Sequence, residues 1–593
     1  MTSPDPFQPT ASVPTPPTFW GRPLVRWLYS QNPFYIISAL LLLFAVQSAY
    51  GELEIGAINA WLMMGVFAGY TSILAFIGVA IIRWGKVWQD ARSVLLLVLL
   101  MCLALSICAD DLFARIESST STWLMFSGYL FSAFLSELVL RGARIRFPPL
   151  YRWPFHGLIA LFFLAPWWCS PAIHPRSPES LEWTIFAFPL IASGLLLTLL
   201  PAVKRGSAYI QNNGTPWPWP LYPWSIFFIF FVAIGFRTFA LAMTFGPAGP
   251  MWISLGSGMR AISFDTLWGP YFLIPPIFAI LVLLVEGSVV TRNMFLAQRV
   301  LRSAPLLLVL AVPMSRGPVF LGFLRKVTDT TGSPLWLVIL MLIGLYCWSA
   351  FRRIRGAIWG TWAMVFLLTF VGPDSTGFRT LHSPESWPLA VVALGLLTQS
   401  VLCSSSKTAT LAAIAGTGAV FLAIPEPPWK GFSATLSAHL LWGALTAVGL
   451  LARDPFARKL RMLSALFMPF ATLLLVLHPQ AEIVPIIWKA VYIASMAGLS
   501  LILALSFRIK WYLYTFISLL SVMAYGIMTL GFRQAVQQVG MRAMTAFLWS
   551  SAALILAVLI SAHKANWLPK RLLPRWPNGH SPVSGQATVP SQK

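Results

Sequence analysis

The chain has 593 residues, of which 58% are hydrophobic and 10% are charged, and its formal net charge at pH 7 is +23. A soluble protein has about 45–50% apolar and about 25% charged residues, so the composition excludes a soluble globular protein. The five cysteines form no CxxC pair, and their spacing therefore indicates neither a disulfide framework nor a cysteine-based zinc site.

Apolar runs long enough to cross a membrane recur along the whole chain. A transmembrane helix needs about 20 predominantly apolar residues, and about 18 windows meet this requirement. The windows are residues 33–50, 57–82, 93–109, 120–140, 153–169, 183–202, 222–245, 268–290, 304–324, 334–350, 357–372, 387–403, 408–424, 431–452, 462–477, 484–507, 512–531 and 543–562. The sequence therefore predicts an all-α, polytopic integral membrane helical bundle of about 18 transmembrane helices, with both termini in the cytoplasm.

The charged residues alternate between the loops as this topology requires. With the N-terminus in the cytoplasm, cytoplasmic segments contain 29 of the 41 Lys and Arg residues, outer loops contain 9 and the spans contain 3. Of the 18 Asp and Glu residues, 13 lie in outer loops. Cationic residues are retained on the cytoplasmic side during insertion, so the positive charge indicates topology and not nucleic-acid binding. The basic loops are expected to contact anionic lipid headgroups.

No segment outside the apolar windows is long enough to fold by itself. Residues 1–30 are predicted to form a Pro-rich disordered cytoplasmic tail, residues 31–563 the transmembrane domain, and residues 564–593 a tail that is first basic and then polar. The loops between spans reach about 20 residues, which is too short to bury a core. Any chemistry is therefore expected within the bilayer or at its faces.

Three basic residues lie inside predicted spans, where an ionisable group is energetically costly. They are Arg237, Arg316 and Lys489, and Arg260 lies in an apolar outer segment rich in Gly and Ser. We predict that these four residues bind an anionic substrate, because cationic side chains, and guanidinium groups above all, suit phosphate or carboxylate.

A structural role for the buried cations remains open. Arg237 and Arg316 are each able to pair with Glu286 or Glu137 instead of binding a substrate, and Lys489 is close enough to an interface for its amine to reach water.

The window around Arg316 also contains helix-breaking residues. Pro313, Gly317 and Pro318 lie close together, and proline removes a backbone donor and kinks a helix. A helix broken at residues 313–318 leaves unpaired backbone groups that must face protein or a water-filled cavity. Discontinuous helices of this kind form midplane sites in transporters, although the break is also compatible with a kink that only serves packing.

Two groups of outer-face residues are candidates for chemistry. Asp110 and Asp111 end the third predicted span, and adjacent carboxylates suit a divalent cation. Arg379 and His382 share an outer loop and are candidates for acid–base work on a phosphorylated lipid. The alternative for both groups is an ordinary solvated loop.

The order of these elements resembles that of the O-antigen ligase/polymerase superfamily. Ser315-Arg316-Gly317 lies inside a span, two further spans follow, and Arg379 and His382 then occur in an outer loop. The resemblance implies that Arg316, Arg379 and His382 are catalytic residues in glycan transfer from a polyprenyl-pyrophosphate carrier. The chain also resembles large uncharacterised multi-pass proteins of bacteria, which implies no activity.

The function predicted first is a carrier for an anionic or amphipathic solute in a bacterial inner membrane. The alternatives are a membrane-embedded glycosyltransferase or ligase that acts on a polyprenyl-phosphate-linked substrate at the outer face, and a non-catalytic scaffold subunit. No Walker, GxSxG or HExxH motif occurs, so the sequence predicts no cofactor. The predicted partners are membrane lipids and a small anionic or lipid-linked substrate.

Overall fold

The computed structural model describes residues 34–50, 57–115, 118–170, 173–174, 178–245, 269–313, 318–375, 383–424, 430–477 and 485–564. Within these residues the regular elements are helices, and no strand occurs among them. The predicted all-α fold is therefore confirmed for this part of the chain.

The helices follow one another with short connections. In chain order they are α1 (Phe34–Tyr50), α2 (Ala57–Ala80, continued by a π-helical turn Ile81–Gly85), α3 (Trp88–Leu105), α4 (Asp110–Arg115), α5 (Ser118–Gly142), α6 (Pro149–Cys169), α7 (Pro178–Leu197), α8 (Leu200–Arg205), α9 (Leu221–Phe245), α10 (Ile274–Val290), α11 (Met294–Ser303), α12 (Leu307–Leu310), α13 (Pro318–Thr331), α14 (Pro334–Phe351), α15 (Ala357–Leu367), α16 (Ser386–Cys403), α17 (Ser406–Ala423), α18 (Lys430–Leu451), α19 (Pro455–Val476), α20 (Ile486–Phe507), α21 (Lys510–Val539) and α22 (Met541–Lys564).

Fourteen helices of the described residues are long and apolar enough to cross a membrane. The chain is therefore a multi-pass helical membrane protein, and fourteen of the predicted windows coincide with these helices. The other four windows correspond to α1, α6, α15 and residues 304–324. Helix α15 has only 11 residues, and the first two turns of α6 contain Arg152 and His156. The window 304–324 is divided, because α12 ends at Leu310 and the next helix begins at Pro318.

The chain forms two compact units. Unit 1 consists of Met1–Gln399 and Ile414–Pro425, and unit 2 consists of Ser400–Ala413 and Glu426–Lys593. The chain therefore passes from one unit to the other within α16 and again within α17.

The core of unit 1 is formed by long helices that pack through small residues and aromatic rings. A Cβ atom on Gly360 of α15 would lie 2.3 Å from the Tyr346 ring of α14, and one on Gly395 of α16 would lie 2.0 Å from the Trp362 ring. The Tyr346 and Trp362 rings therefore occupy space that a side chain at these two glycine positions would fill. Small residues at helix interfaces are typical of membrane proteins. Because lipid tails are as apolar as the side chains, the hydrophobic effect does not drive helix association there, and close packing does.

The core of unit 2 is built on two helical hairpins, α18–α19 and α20–α21. Its buried cluster includes Ala465 and Met468 of α19, Ala497 of α20, and Tyr512 and Leu519 of α21. The last helix, α22, has none of its apolar window buried within the chain. Apolar side chains on such a helix are compatible with a lipid environment.

Candidate functional site

Arg237 is buried near the centre of unit 1. It lies on α9 and is 1% exposed. Its Nη2 atom donates to Oδ1 of Asp110 at 2.9 Å, and its Nη1 atom donates to Oδ2 of the same carboxylate. Asp110 is 2% exposed, so the two side chains form a bidentate ion pair away from solvent. This geometry is the strong form of an arginine–carboxylate contact.

Two backbone carbonyls complete the surroundings of Arg237. Nη2 also donates to the oxygens of Ser106 and Phe162, each at 3.2 Å. Phe162 precedes Pro166 by four residues in α6, and proline has no N–H to bond that oxygen. Ser106 follows the end of α3, where the N–H of Asp110 bonds Ile107 instead. The guanidinium therefore donates to two carbonyl oxygens that lack the usual hydrogen bond from an N–H four residues later.

The Asp110–Arg237 pair connects three segments of unit 1. It joins α9 to the start of α4, and through Phe162 it also joins α6. Nε of Arg237 is buried without a hydrogen-bond partner among the described residues. The partner of Arg237 is thus Asp110, and neither Glu137 nor Glu286 takes that place. Because the charge is neutralised in a packed interior, the pair is suited to holding helices together.

Glu286 forms a second ion pair near the end of α10, in which the carboxylate is buried and the arginine is partly exposed. It is 0% exposed, and its Oε1 atom accepts from Nη2 of Arg352, the residue that follows α14. The carboxylate oxygen Oε2 and the Arg352 Nε atom are both buried without a partner among the described residues. The Arg352 guanidinium and the Lys204 ammonium lie 5.3 and 5.4 Å from the centre of the Trp348 ring. This pair therefore ties the ends of α10 and α14 together.

Glu137 lies in a more open group between α5 and α6. Nε of Arg152 donates to its Oε1 atom at 2.8 Å, and Nε2 of His156 lies 2.9 Å from the same atom. Arg141, one turn along α5, is 3.9 Å from the other carboxylate oxygen. Because the Arg141 and Arg152 side chains are largely exposed, water competes for these contacts.

A cavity of about 80 Å³ lies between α3, α5 and α9. Its walls are mainly apolar, and it is lined by Leu95, Leu96, Val98, Leu99, Val139, Leu140, Ile145, Phe147, Phe155, Trp217, Tyr222, Ile226, Ser136, Ser225 and Arg92. Arg92 belongs to the first turns of α3, Tyr222 to the first turns of α9 and Leu140 to the last turn of α5. The cavity therefore lies near the end of unit 1 to which the sequence assigns the cytoplasm.

Arg92 is the charged residue of the cavity wall. It is half-buried, and no carboxylate of the described residues lies within ion-pair distance of it. Two other polar groups of the wall are already engaged, since the Tyr222 hydroxyl donates to the Arg146 carbonyl at 3.3 Å and the Ser136 hydroxyl donates to Ser132 at 2.7 Å. The cavity thus combines apolar walls with one guanidinium that forms no ion pair with any carboxylate of the described residues.

The loop before α9 closes one side of the cavity. The N–H of Arg146 donates to the Asn213 carbonyl at 2.8 Å, which joins this loop to the turn after α5. Gly214 has φ +82°, and a Cβ atom there would lie 2.3 Å from the Arg144 carbonyl oxygen. A side chain is therefore excluded at position 214, and this close approach places Trp217 in the cavity wall.

Several predicted site residues lie outside the described residues. They are Arg260, Arg316, Arg379, His382 and the side chain of Asp111. Lys489 is described and is half-buried in the first turn of α20 in unit 2. The roles predicted for these residues therefore remain predictions.

The predicted cation site at Asp110 and Asp111 has one carboxylate already in use. The Asp110 carboxylate binds Arg237 through both oxygens. In the described part of the chain, no group of three or more His, Cys, Asp or Glu residues is placed to hold a metal ion.

The cavity at Arg92 was missed by the sequence. In the sequence Arg92 is one of many basic residues that indicate topology. The residues that line the cavity come from four separate parts of the chain, so no local pattern predicts it. The surroundings of Arg237 do have a signal in the sequence. Pro166 lies in an apolar run, and its missing N–H predicts one carbonyl of α6 without a helical hydrogen bond.

Comparisons with protein families, with curated proteins and with solved structures find no match for this chain.

Proposed function

We propose that the protein is a carrier for amphipathic anions in a bacterial inner membrane, with about 18 spans and both termini in the cytoplasm. The observation that supports this proposal is the apolar cavity of unit 1 with Arg92 in its wall. A guanidinium binds phosphate or carboxylate, and the apolar walls suit the first part of an acyl or prenyl chain.

The size of the cavity defines what it would hold. Sites that enclose a whole drug-sized ligand have about 300–1,000 Å³, and this cavity has about 80 Å³. We therefore expect it to accommodate the headgroup and the adjoining methylene groups, while the rest of the chain extends into lipid. The Asp110–Arg237 pair has a separate task in this proposal, namely to hold α4, α6 and α9 together.

The position of the cavity supports uptake from the cytoplasmic leaflet. The turn after α5 and the start of α6 contain Arg144, Arg146 and Arg152, which are basic like most of the loops assigned to that side. Such a surface raises the local concentration of an anionic amphiphile.

Uptake of radiolabelled dodecyl phosphate into proteoliposomes tests the proposal. Arg92→Gln removes the charge from the cavity wall, and a lost charge-assisted hydrogen bond of about 1.5–3 kcal/mol corresponds to about 10–150-fold weaker binding. Ser136→Leu fills the cavity and leaves Arg92 in place, so it should lower uptake by exclusion.

Arg83→Gln is the matched control, because Arg83 is an exposed arginine that does not line the cavity. We expect it to leave uptake unchanged. Wild-type uptake equal to that of protein-free vesicles would overturn the proposal, and so would uptake that is insensitive to both Arg92→Gln and Ser136→Leu in folded protein.

A further inference from the structure

Helix α11 is an amphipathic element that directly follows the membrane-length helix α10. Three residues separate the two helices, and the Asn293 side chain caps α11 by accepting from the Leu296 N–H at 3.1 Å. Ala297, Val300 and Leu301 form its buried face against the rest of unit 1. The Tyr346 hydroxyl of α14 donates to the Leu301 carbonyl at 2.8 Å and thereby fixes the C-terminal end of α11.

The opposite face of α11 combines one aromatic ring with two arginines. Phe295, Arg299 and Arg302 recur at i, i+4 and i+7, so they lie along one side of the helix. All three are exposed, and Phe295 is 62% exposed. The Arg299 guanidinium lies 4.1 Å from the centre of the Phe295 ring, which places a cation directly beside an exposed apolar group.

Further exposed groups extend this surface. Met294 and Leu296 flank Phe295 and are 41% and 40% exposed, and Leu306 just beyond the helix is 67% exposed. Arg292 precedes the helix and is also exposed. The sequence contains no Asp or Glu between Glu286 and Asp329, so no acidic residue of this segment balances its arginines.

We propose that α11 is an interfacial helix that binds the headgroups of anionic phospholipids. Its start within three residues of α10 places it at a membrane boundary, and its exposed Phe295, Met294 and Leu296 side chains suit the acyl–headgroup border. Arg299 and Arg302 then contact lipid phosphates, which complement their charge. This surface is separate from the Arg92 cavity, and it would bind lipid whether or not that cavity binds a substrate.

Photo-crosslinking in nanodiscs tests this proposal on the full chain. The test compound is phosphatidylglycerol with a photoreactive group near its headgroup, diluted in phosphatidylcholine, and crosslinked peptides are identified by mass spectrometry. We expect crosslinks within residues 292–303 from phosphatidylglycerol, few from equally labelled phosphatidylcholine, and a decrease at high salt. Equal labelling by the two lipids in the wild-type protein would overturn the proposal without any substitution.

Paired substitutions test whether the lipid is bound locally. Each arginine near an anionic surface contributes about fivefold to binding, so Arg299→Gln with Arg302→Gln should lower crosslinking at α11 about 25-fold. Arg353→Gln with Arg355→Gln removes the same charge from exposed residues that follow α14 and should leave it unchanged. An equal decrease in both double variants would assign the effect to net charge and would refute a specific surface on α11.

Phe295→Ser removes the aromatic ring without changing the charge. The proposal expects weaker crosslinking in this variant, because the ring no longer anchors the helix at the acyl border. Unchanged crosslinking would contradict the interfacial position of α11. A failure of this test leaves the uptake test on Arg92 unaffected, so lipid binding by α11 and the carrier function are tested independently.

Discussion

The two units bury polar groups in different ways. Unit 1 encloses complete ion pairs, of which Asp110–Arg237 and Glu286–Arg352 have a carboxylate no more than 2% exposed. In unit 2 the sequence of helices α18–α22 contains no Asp or Glu, and the described helices are linked by hydrogen bonds without a carboxylate, among them one from the Arg461 guanidinium of α19 to the Gly449 carbonyl of α18 at 2.6 Å. Tyr512 contacts Ser464 at 2.7 Å, and the His439 imidazole contacts the Tyr492 hydroxyl.

In both units, however, a proline inside a helix frees a backbone carbonyl that accepts a hydrogen bond from a neighbouring helix. In unit 1 Pro166 leaves the Phe162 carbonyl open for Arg237, and in unit 2 Pro469 leaves the Ala465 carbonyl open for the Thr515 hydroxyl at 2.7 Å. A proline inside a membrane helix is tolerated because a neighbouring helix satisfies the freed carbonyl. The comparison shows that the freed carbonyl can accept from a charged guanidinium, as Phe162 does from Arg237, or from a neutral hydroxyl, as Ala465 does from Thr515.

The largest expected effect comes from removing the carboxylate in unit 1. Asp110→Asn leaves the Arg237 charge buried without a counter-charge, and breaking a buried pair in this way destabilises a protein by about 3–5 kcal/mol. Unfolding of the purified protein in detergent measures this loss. Glu137→Gln is the control, because its partly exposed ion pairs should contribute about 0–1 kcal/mol.

A double substitution sharpens the same test. Asp110→Leu with Arg237→Met removes both charges, and replacing a whole buried pair by apolar groups is often neutral or stabilising. We expect the double variant to be more stable than Asp110→Asn. Equal instability of the two variants would show that shape, and not the unpaired charge, determines the loss.

A smaller effect is expected from the neutral contact in unit 2. Thr515→Val keeps the side-chain shape and removes the donor to the Ala465 carbonyl, and hydrogen bonds between membrane helices contribute about 0.6 kcal/mol on average and up to about 1.7 kcal/mol. The free energy of unfolding should fall by that amount. Thr529→Val on the same helix is the control, because its hydroxyl bonds Gly526 within α21.

Restoring the missing backbone donor should reverse this loss. Pro469→Ala returns an N–H that can bond the Ala465 carbonyl, so it should recover stability in the Thr515→Val protein. If Pro469→Ala brings no recovery, the freed carbonyl is not the reason for the Thr515 contact.

The sequence predicts the helices of this protein better than it predicts their contacts. Apolar runs determine where a chain can cross lipid, and fourteen of the predicted windows coincide with membrane-length helices of the described residues. The break predicted at 313–318 falls largely on residues outside the described ones and stays a prediction. The presence of a buried Arg237 also follows from the sequence. Its partner does not, because Asp110 is 127 residues away and nothing local distinguishes it from Glu137 or Glu286. The Arg92 cavity depends on the packing of α3, α5 and α9, which apolar runs do not specify.

The smallest expected effect concerns a carboxylate outside the spans of unit 2. Asp454 caps α19, where its Oδ1 atom accepts from the Ala457 N–H at 3.0 Å, and its Oδ2 atom accepts from the Ser406 hydroxyl at 2.6 Å. The Ser406 hydrogen bond, helped by those from backbone N–H groups, holds the pKa of Asp454 below its usual range. These bonds favour the ionised form, so Asp454 is more acidic in the folded chain than in the unfolded one.

The sign of the pH dependence follows from this direction. Because the pKa of Asp454 is lower in the folded state, its stabilising contribution is present above the unfolded value of about 3.9 and is lost as the pH falls through the folded value. The difference in unfolding free energy between wild type and Asp454→Asn should therefore be constant near neutral pH and shrink in acid. Ser406→Ala should reduce this difference, since the pKa of Asp454 then moves towards its usual value, whereas Thr417→Val on α17 should not change it. A difference that is independent of pH throughout the acid range would show that Asp454 acts only through the shape of the cap.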